Sequence, residues 1–270
     1  MYKGTMDYQG KVRIAEKDEA ISDSDAKIES LSSKRSELTG SLNTLTVERD
    51  TLTQKADILQ RMIDNFEGYA ESIKFVMREY NAGNIRGNGE IHGPLSSLIS
   101  VEKKYITAIE TALGSSLQNI VVDNEDMAKA AIGALKRANA GRVTFYPISA
   151  IRPMTETDEI RAAKSISGYV GRADTLVKTE KDYRSIIEWL LLRTVVFDNI
   201  DNASIAAKKL NYKVKIVTLD GQIINVGGAF TGGSARRDSG ILSRLAEIST
   251  LRERAESLTK KISAETAALE

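Results

Sequence analysis

The chain of 270 residues, long enough for more than one domain, carries 38 Lys and Arg against 37 Asp and Glu, so its formal net charge of +1 names no partner. It has no Cys and one His, His92, which removes disulfides, thiolate ligands and Cys nucleophiles and excludes most zinc sites and Ser-His-Asp arrangements. Charged residues are 28% and aromatics 6%, a tilt toward long helix, and no apolar run approaches the ~20 residues of a membrane span.

Residues 1–10 lack the apolar stretch of a signal peptide. From residue 14 to 77 one heptad register holds. Its a positions are Ile14, Ile21, Ile28, Arg35, Leu42, Arg49, Ala56, Ile63, Ala70 and Met77. Its d positions from residue 31 onward are Leu31, Leu38, Leu45, Leu52, Leu59, Phe66 and Ile73, all apolar. A period kept this long predicts a left-handed coiled-coil helix of roughly 96 Å. A helix lying on a globular core is much shorter. A second stripe, Ile248, Ala255, Ile262 and Leu269 with Leu251 and Leu258, closes the chain. The simplest packing is antiparallel. The last 30 residues can then cover about as many residues of the first arm, which leaves the distal part of that arm without its natural partner.

The middle has no heptads. Asn81–Gly93 reads as a loop and Leu95–Leu113 as a helix closed by Gly114. Then come a strand at Ile120–Val122, a helix at Asp126–Asn139 and a strand at Arg142–Tyr146. Pro147–Gly171 is polar and poorly periodic, a plausible divide. Beyond it lie a helix at Tyr183–Leu192, a strand at Thr194–Phe197, a helix at Ala203–Leu210 and a strand at Lys213–Leu219. Asp220-Gly221 turns that strand into Gln222–Val226. An internal repeat joins the two parts: residues 121–128 match 196–203 at an offset of 75. Its Asp/Asn cluster could be a carboxylate pair for metal or catalysis. Its place between strand and helix favours N-capping, with Asp126 and Asp201 in the first turn. The domain expectation is an N-terminal coil over 1–77, subdomains over 78–165 and 166–240, and a C-terminal coil over 241–270.

The stretch 225–237 (Asn-Val-Gly-Gly-Ala-Phe-Thr-Gly-Gly-Ser-Ala-Arg-Arg) holds four glycines in seven residues. Glycine costs backbone entropy, so such density has a use: positive φ in a turn, a backbone cradle for phosphate, or close approach of another backbone. Gly227-x4-Gly232-Gly233-Ser234 has phosphate-loop spacing, but Gly233 stands where the Lys belongs, and the following residues are not an evident helix. Charge is uneven as well. Residues 78–240 hold 22 Lys and Arg against 18 Asp and Glu, a net of +4, and the arms are −3. The basic residues Lys136, Arg137, Arg142, Arg236 and Arg237 form candidate phosphate contacts that read no sequence. A solvated helix face accounts for them equally.

Together the long coil, the two-part α/β middle and the returning coil resemble the hinge of the structural maintenance of chromosomes (SMC) family, in its bacterial condensin branch. The residues that carry the likeness are Gly93-Pro94-Leu95, Ala108-Ile109-Glu110-x-Ala112-Leu113-Gly114, Gly141-Arg142-Val143-Thr144-Phe145, Val195-Val196-x-Asp198, Ile216–Gly221 and Asn225-x-Gly227-Gly228-x-x-Thr231-Gly232-Gly233-Ser234. Val226 departs from the family's usual Pro. The resemblance implies an α/β (α+β) hinge of two subdomains flanked by an antiparallel coiled coil. It implies a homodimer in which one subdomain of each chain meets the other subdomain of its partner, with Gly227, Gly228, Thr231, Gly232 and Gly233 at that contact. It further implies weak, sequence-independent DNA binding, a cytoplasmic, nucleoid-associated setting, no cofactor in this fragment, and ATPase heads and accessory condensin subunits only in a full-length protein. A nucleotide-binding enzyme using the glycine loop, and a structural tether indifferent to DNA, are the competing readings.

Overall fold

The computed structural model describes residues 3–233 and 240–269, and by contacts it forms two units, 58–249 and the paired arm segments drawn from 1–57 and 250–270. Helix α1 (Lys3–Asp64) ends at a local signal that the heptads conceal. Phe66 is left-handed (φ 54°), and the amides of Phe66 and Glu67 turn back to the carbonyls of Ile63 and Met62 at 2.9 and 2.8 Å. This is a Schellman-type stop built on Phe instead of Gly. The continuous helix expected to Met77 is therefore broken. Helix α2 (Glu71–Asn81) restarts after Ala70 and buries Ile73, Val76 and Met77 in a core shared with helix 125–138. Over 11 residues a 3.5 period and a 3.6 period are indistinguishable, so a globular face continued the coil's pattern.

The helix expected over 95–113 is also corrected. Strands β1 (Ile91–Pro94) and β2 (Ile99–Val101), each followed by a one-turn helix, precede α3 (Ile106–Leu113). Ile99 and Val101 are drawn into pairing by a strand from the far half of the chain, so a tertiary contact overrides local spacing. Strand β3 (Ile120–Val122), α4 (Glu125–Ala138) and β4 (Phe145–Pro147) complete a parallel βαβ unit in a sheet of order β1-β3-β4. After α5 (Asp158–Ala163) the plan repeats as β5 (Tyr169–Arg172), β6 (Val177–Thr179), α6 (Arg184–Leu191), β7 (Thr194–Phe197), α7 (Ile200–Lys209) and β8 (Lys215–Thr218).

The duplication extends to register. Ile91 and Gly93 face Val122 and Val121, and Tyr169 and Gly171 face Phe197 and Val196, each ladder with a one-residue slip at the same place. Strands β2 and β6 pair antiparallel across the halves. There Ser100 lies opposite Lys178, its own counterpart, so a pseudo-twofold axis passes between them. The second copy then adds β9 (Ile223–Ile224) and β10 (Phe230–Thr231), giving a five-stranded sheet of order β10-β9-β8-β7-β5.

Strand alternation divides the core in three. Val121, Tyr146, Val196 and Val217 face a shared centre filled by Ile109 of α3 and Ile186, Ile187 and Leu191 of α6. Ile120 and Val122 face outward to α4 and α2. Val195, Phe197 and Ile216 face outward to α7 and α5. Helix α5 precedes the expected divide at residue 165, yet its Ile160 and Ala163 are buried with the second half, to which it belongs by packing.

Helix α8 (Ile241–Leu269) supplies the returning arm. In the arm unit Leu251, Ala255 and Leu258 are buried, and Arg254 meets Glu48 at 3.8 Å. The α1 seam is partly or fully covered at Leu38, Leu42, Leu45, Arg49, Leu52 and Ala56, whereas Ile14, Ile21, Ile28 and Leu31 are about 60% exposed. No helix among the described residues is long and apolar enough to cross a membrane.

Candidate dimer interface and basic surface

The glycine stretch is the rim of the larger sheet. Asp220-Gly221 closes the β8–β9 hairpin, with the Thr218 amide donating to Gln222 O at 2.9 Å and Gly221 at φ 87°. A second tight turn, 225–229, joins β9 to β10. It is closed by the Asn225 amide on Ala229 O (2.8 Å) and the Gly228 amide on Asn225 O (2.9 Å). Gly227 and Gly228 sit in it at φ 87° and 94°, where side-chain-bearing residues are strained. A Cβ on Gly228 would also come to 3.3 Å from the Tyr212 ring. Turn geometry thus accounts for this pair of glycines. The Gln222 side chain grips the backbone of Gly233 through two hydrogen bonds of 3.0 and 3.1 Å. The stretch from 223 to 231 is strand, turn, strand. A phosphate loop needs a strand that feeds a helix directly, so the nucleotide reading loses its geometry here.

Among the described residues the outer edge of β10 has no partner strand, and Val226 and Phe230 are 63% and 55% exposed. Thr231, Gly232 and Gly233 are exposed beside them. At the opposite end of the repeat, β4 is the open edge of the three-stranded sheet. Its Tyr146 stacks edge-on against the half-exposed Trp189 of α6 at 5.8 Å. Sequence reasoning missed β4, Trp189 and Phe230 as candidates. The signal was available in the repeat: nothing after β4 matches the β9–β10 extension that follows β8.

Of the candidate phosphate contacts, Lys136 and Arg137 lie on the last turn of α4 and Arg142 lies just beyond it, all exposed and without an ion-pair partner among the described residues. Helix α2, which packs on α4, adds Lys74 and Arg78, but these are paired to Glu71 and Glu79 at 2.8 and 3.4 Å. Lys136 and Arg137 also complement the α4 dipole, which is a structural reason for their place. Arg236 and Arg237 lie outside the described residues, as does Ser234.

The Asp/Asn clusters are helix caps, with Asn rather than Asp at the cap. Asn124 accepts from the amides of Asp126 and Met127 at 3.1 and 3.0 Å, and Asn199 accepts from Asn202 at 2.9 Å. His92 lies on β1, not in a turn. One ring nitrogen meets Asp123 at 2.6 Å and the other meets the Tyr183 hydroxyl at 3.2 Å, which ties the two halves together. The hydrogen bond from His92 holds the Asp123 carboxyl below its usual range, helped by the Glu90 amide and opposed by partial burial.

The sequence matches the family described as "SMC proteins Flexible Hinge Domain" over residues 88–207. Over 185 residues it is 37% identical to the Chromosome partition protein Smc of Clostridium kluyveri (strain NBRC 12016), covering 68% of this chain and 16% of that protein. Over 204 residues it is 36% identical to the Chromosome partition protein Smc of Bacillus subtilis (strain 168), covering 75% of this chain and 17% of that protein. In structure it resembles an asymmetric dimer of the Geobacillus stearothermophilus SMC hinge domain, with a TM-score of 0.80 and 32% identity, covering 90% of this chain and 96% of that one. The duplicated α/β middle, the rim of glycines and these likenesses agree: the chain belongs to the SMC hinge family.

Proposed function

We propose that the chain is the homodimerisation hinge of a bacterial condensin-type SMC protein, joining two coiled-coil arms in chromosome condensation and segregation. One observation carries the reading. A single chain ends its two sheets on unlike strands, β4 in the first half and β10 in the second, at the ends opposite the matching edges β1 and β5. Open edges invite a partner strand. A twofold pair of chains would set each β10 against the partner's β4 and leave neither open, a self-complementary arrangement. The exposed Phe230 and Val226 supply apolar area to such a contact. Light scattering tests it: the chain is expected at twice its 29.6 kDa mass. Phe230→Asp is expected to give a folded monomer, and replacing Gly227, Gly228, Gly232 and Gly233 with bulkier residues a monomer whose 225–229 turn is strained as well. Crowding a close contact costs about 1–3 kcal/mol per site, and each of the two copies of the contact suffers it. A glycine variant that kept the dimer mass and affinity would refute the assignment.

Weak, sequence-independent DNA binding is the second part of the reading, carried by Lys136 and Arg137 on the last turn of α4 and Arg142 just beyond it, exposed and without an ion-pair partner among the described residues. Affinity is expected to fall steeply with salt and to differ little between sequences. An anisotropy titration at low salt that shows no binding would leave the hinge a connector only. ATP hydrolysis and accessory subunits are assigned to parts of a longer protein, and a cytoplasmic, nucleoid-associated setting follows from the same reading.

A further inference from the structure

Helix α3 makes three contacts that its sequence pattern does not announce. At one point Glu110 serves the returning helix. The backbone amides of Leu242 and Ser243 donate to its Oε1 at 2.7 and 3.1 Å, and the Ser243 hydroxyl donates to its Oε2 at 3.1 Å. These are first-turn donors of α8, which an N-cap side chain ordinarily satisfies. The cap position itself is Gly240, whose carbonyl accepts from the Arg244 amide at 3.1 Å. A Cβ added there would fall on the Glu110 carboxylate, so the cap residue is bare because its oxygen comes from another element. The negative charge also faces the positive end of the α8 dipole.

The other two contacts reach the far half. Lys215 Nζ, at the start of β8, donates to Ala112 O on the last turn of α3 at 2.8 Å, and burial draws its pKa down. The β8–β9 turn rests on Thr107 and Thr111: a Cβ on Gly221 would come to 3.0 Å from both. Among the described residues the matching helix of the second copy has no such reach through its glutamate. Glu188, the counterpart of Glu110, is bonded within α6 by Arg184 at 2.9 Å.

We propose that α3 is a relay, in which Glu110 is a positioning residue that caps α8 from outside while the same helix seats the hairpin leading to the glycine rim. The contacts stand on their own, and their use in signalling the state of the rim rests on the dimer reading. A change at the rim, transmitted through β8–β9 to α3, then alters how firmly the first turn of α8 is held.

The test is hydrogen exchange at the Leu242 and Ser243 amides of the whole chain, with the mass measured on the same samples. Glu110→Ala is expected to speed exchange there roughly tenfold, and Glu110→Gln, which keeps an acceptor, to restore most of the protection. Gly240→Ser gives the sharper result. In the native background it collides with Glu110 and speeds exchange. In the Glu110→Ala background it supplies its own hydroxyl cap and slows exchange. The same sign in both backgrounds overturns the capping role. For the relay, Lys215→Met is expected to speed exchange at the same amides by at least about twofold, and an exposed control, Lys208→Met, to leave them unchanged. Unchanged exchange in Lys215→Met overturns the relay. A monomeric mass for the native chain, with these exchange results intact, refutes the dimer reading alone.

Discussion

In the first half of the hinge, the buried residue after β1 is Ser96, which needs one partner and finds it in the Tyr69 hydroxyl at 2.8 Å. In the second half the matching residue after β5 is Asp174, fully buried, and it needs far more. Arg172 grips it at 2.5 Å and Arg184 at 2.7 Å, and the pairing with Asp174 pushes the Arg172 pKa up. The same backbone plan therefore rests on a neutral hydroxyl pair at one end and a buried ionic cluster at the other. The edges differ as well. The first sheet stops at β4 and the second runs on through β9 and β10. Duplication supplies the frame, and the departures from symmetry fall at the rim and at the joints. Two identical halves would offer identical edges; two unlike edges on one chain allow each to meet the other kind on a partner.

The core difference gives the largest expected effect. Asp174→Ala takes from Arg172 and Arg184 the buried carboxylate they share, leaving them Glu156 and Glu188, and is expected to cost about 3 kcal/mol, the low end for removing one partner of a buried pair. Ser96→Ala, at the matching site, is expected to cost about 1 kcal/mol. Urea unfolding of the two variants checks both, and equal losses would erase the contrast. The capping residues come next. Asn124 satisfies two amides and Asn199 one. Alanine at Asn124 is therefore expected to cost about 1–2 kcal/mol and at Asn199 about 0.5–1 kcal/mol, read from the same unfolding curves.

A smaller difference concerns pH. Asp123 is held by His92, whereas its counterpart Asp198 bonds the side chain of Asn202, a group that does not titrate. Because the folded Asp123 carboxyl is depressed, its contribution is present above the ordinary carboxylate range near pH ~4. It is lost as pH falls through the depressed value. The Asp123 side chain is 40% exposed, so the contribution is expected to be below about 1 kcal/mol. His92→Gln is expected to flatten the loss of stability on acidification below pH ~4, and an unchanged acid limb would show that the clamp contributes nothing. The smallest effect is expected at the basic rim. Reversing the charge of Lys136, Arg137 and Arg142 is expected to leave stability within about 0.5 kcal/mol and to lower the salt slope of DNA binding by roughly three phosphate contacts.

The sequence alone determined the arms, the strand-helix-strand cores of both halves and the hairpin at Asp220-Gly221. Each rests on local physics: a heptad stripe, a 3.6-residue face or a glycine that must take positive φ. It also showed where the two copies match, residues 121–128 against 196–203, in which Asn124 and Asn199 each open the helix of their own copy. The tertiary structure alone decided what depends on partners distant in the chain. Strand β2 exists because β6 lies opposite it, not because residues 99–101 are read locally as strand. Helix α1 stops at Asp64 because Phe66 can turn left-handed there, although it continues the heptad. The open edge at β4 is invisible in its own residues, since an edge is defined by the strand that is not beside it. Gly240 gives the same lesson at the scale of one atom: it is bare because Glu110, 130 residues earlier in the chain, already fills its place.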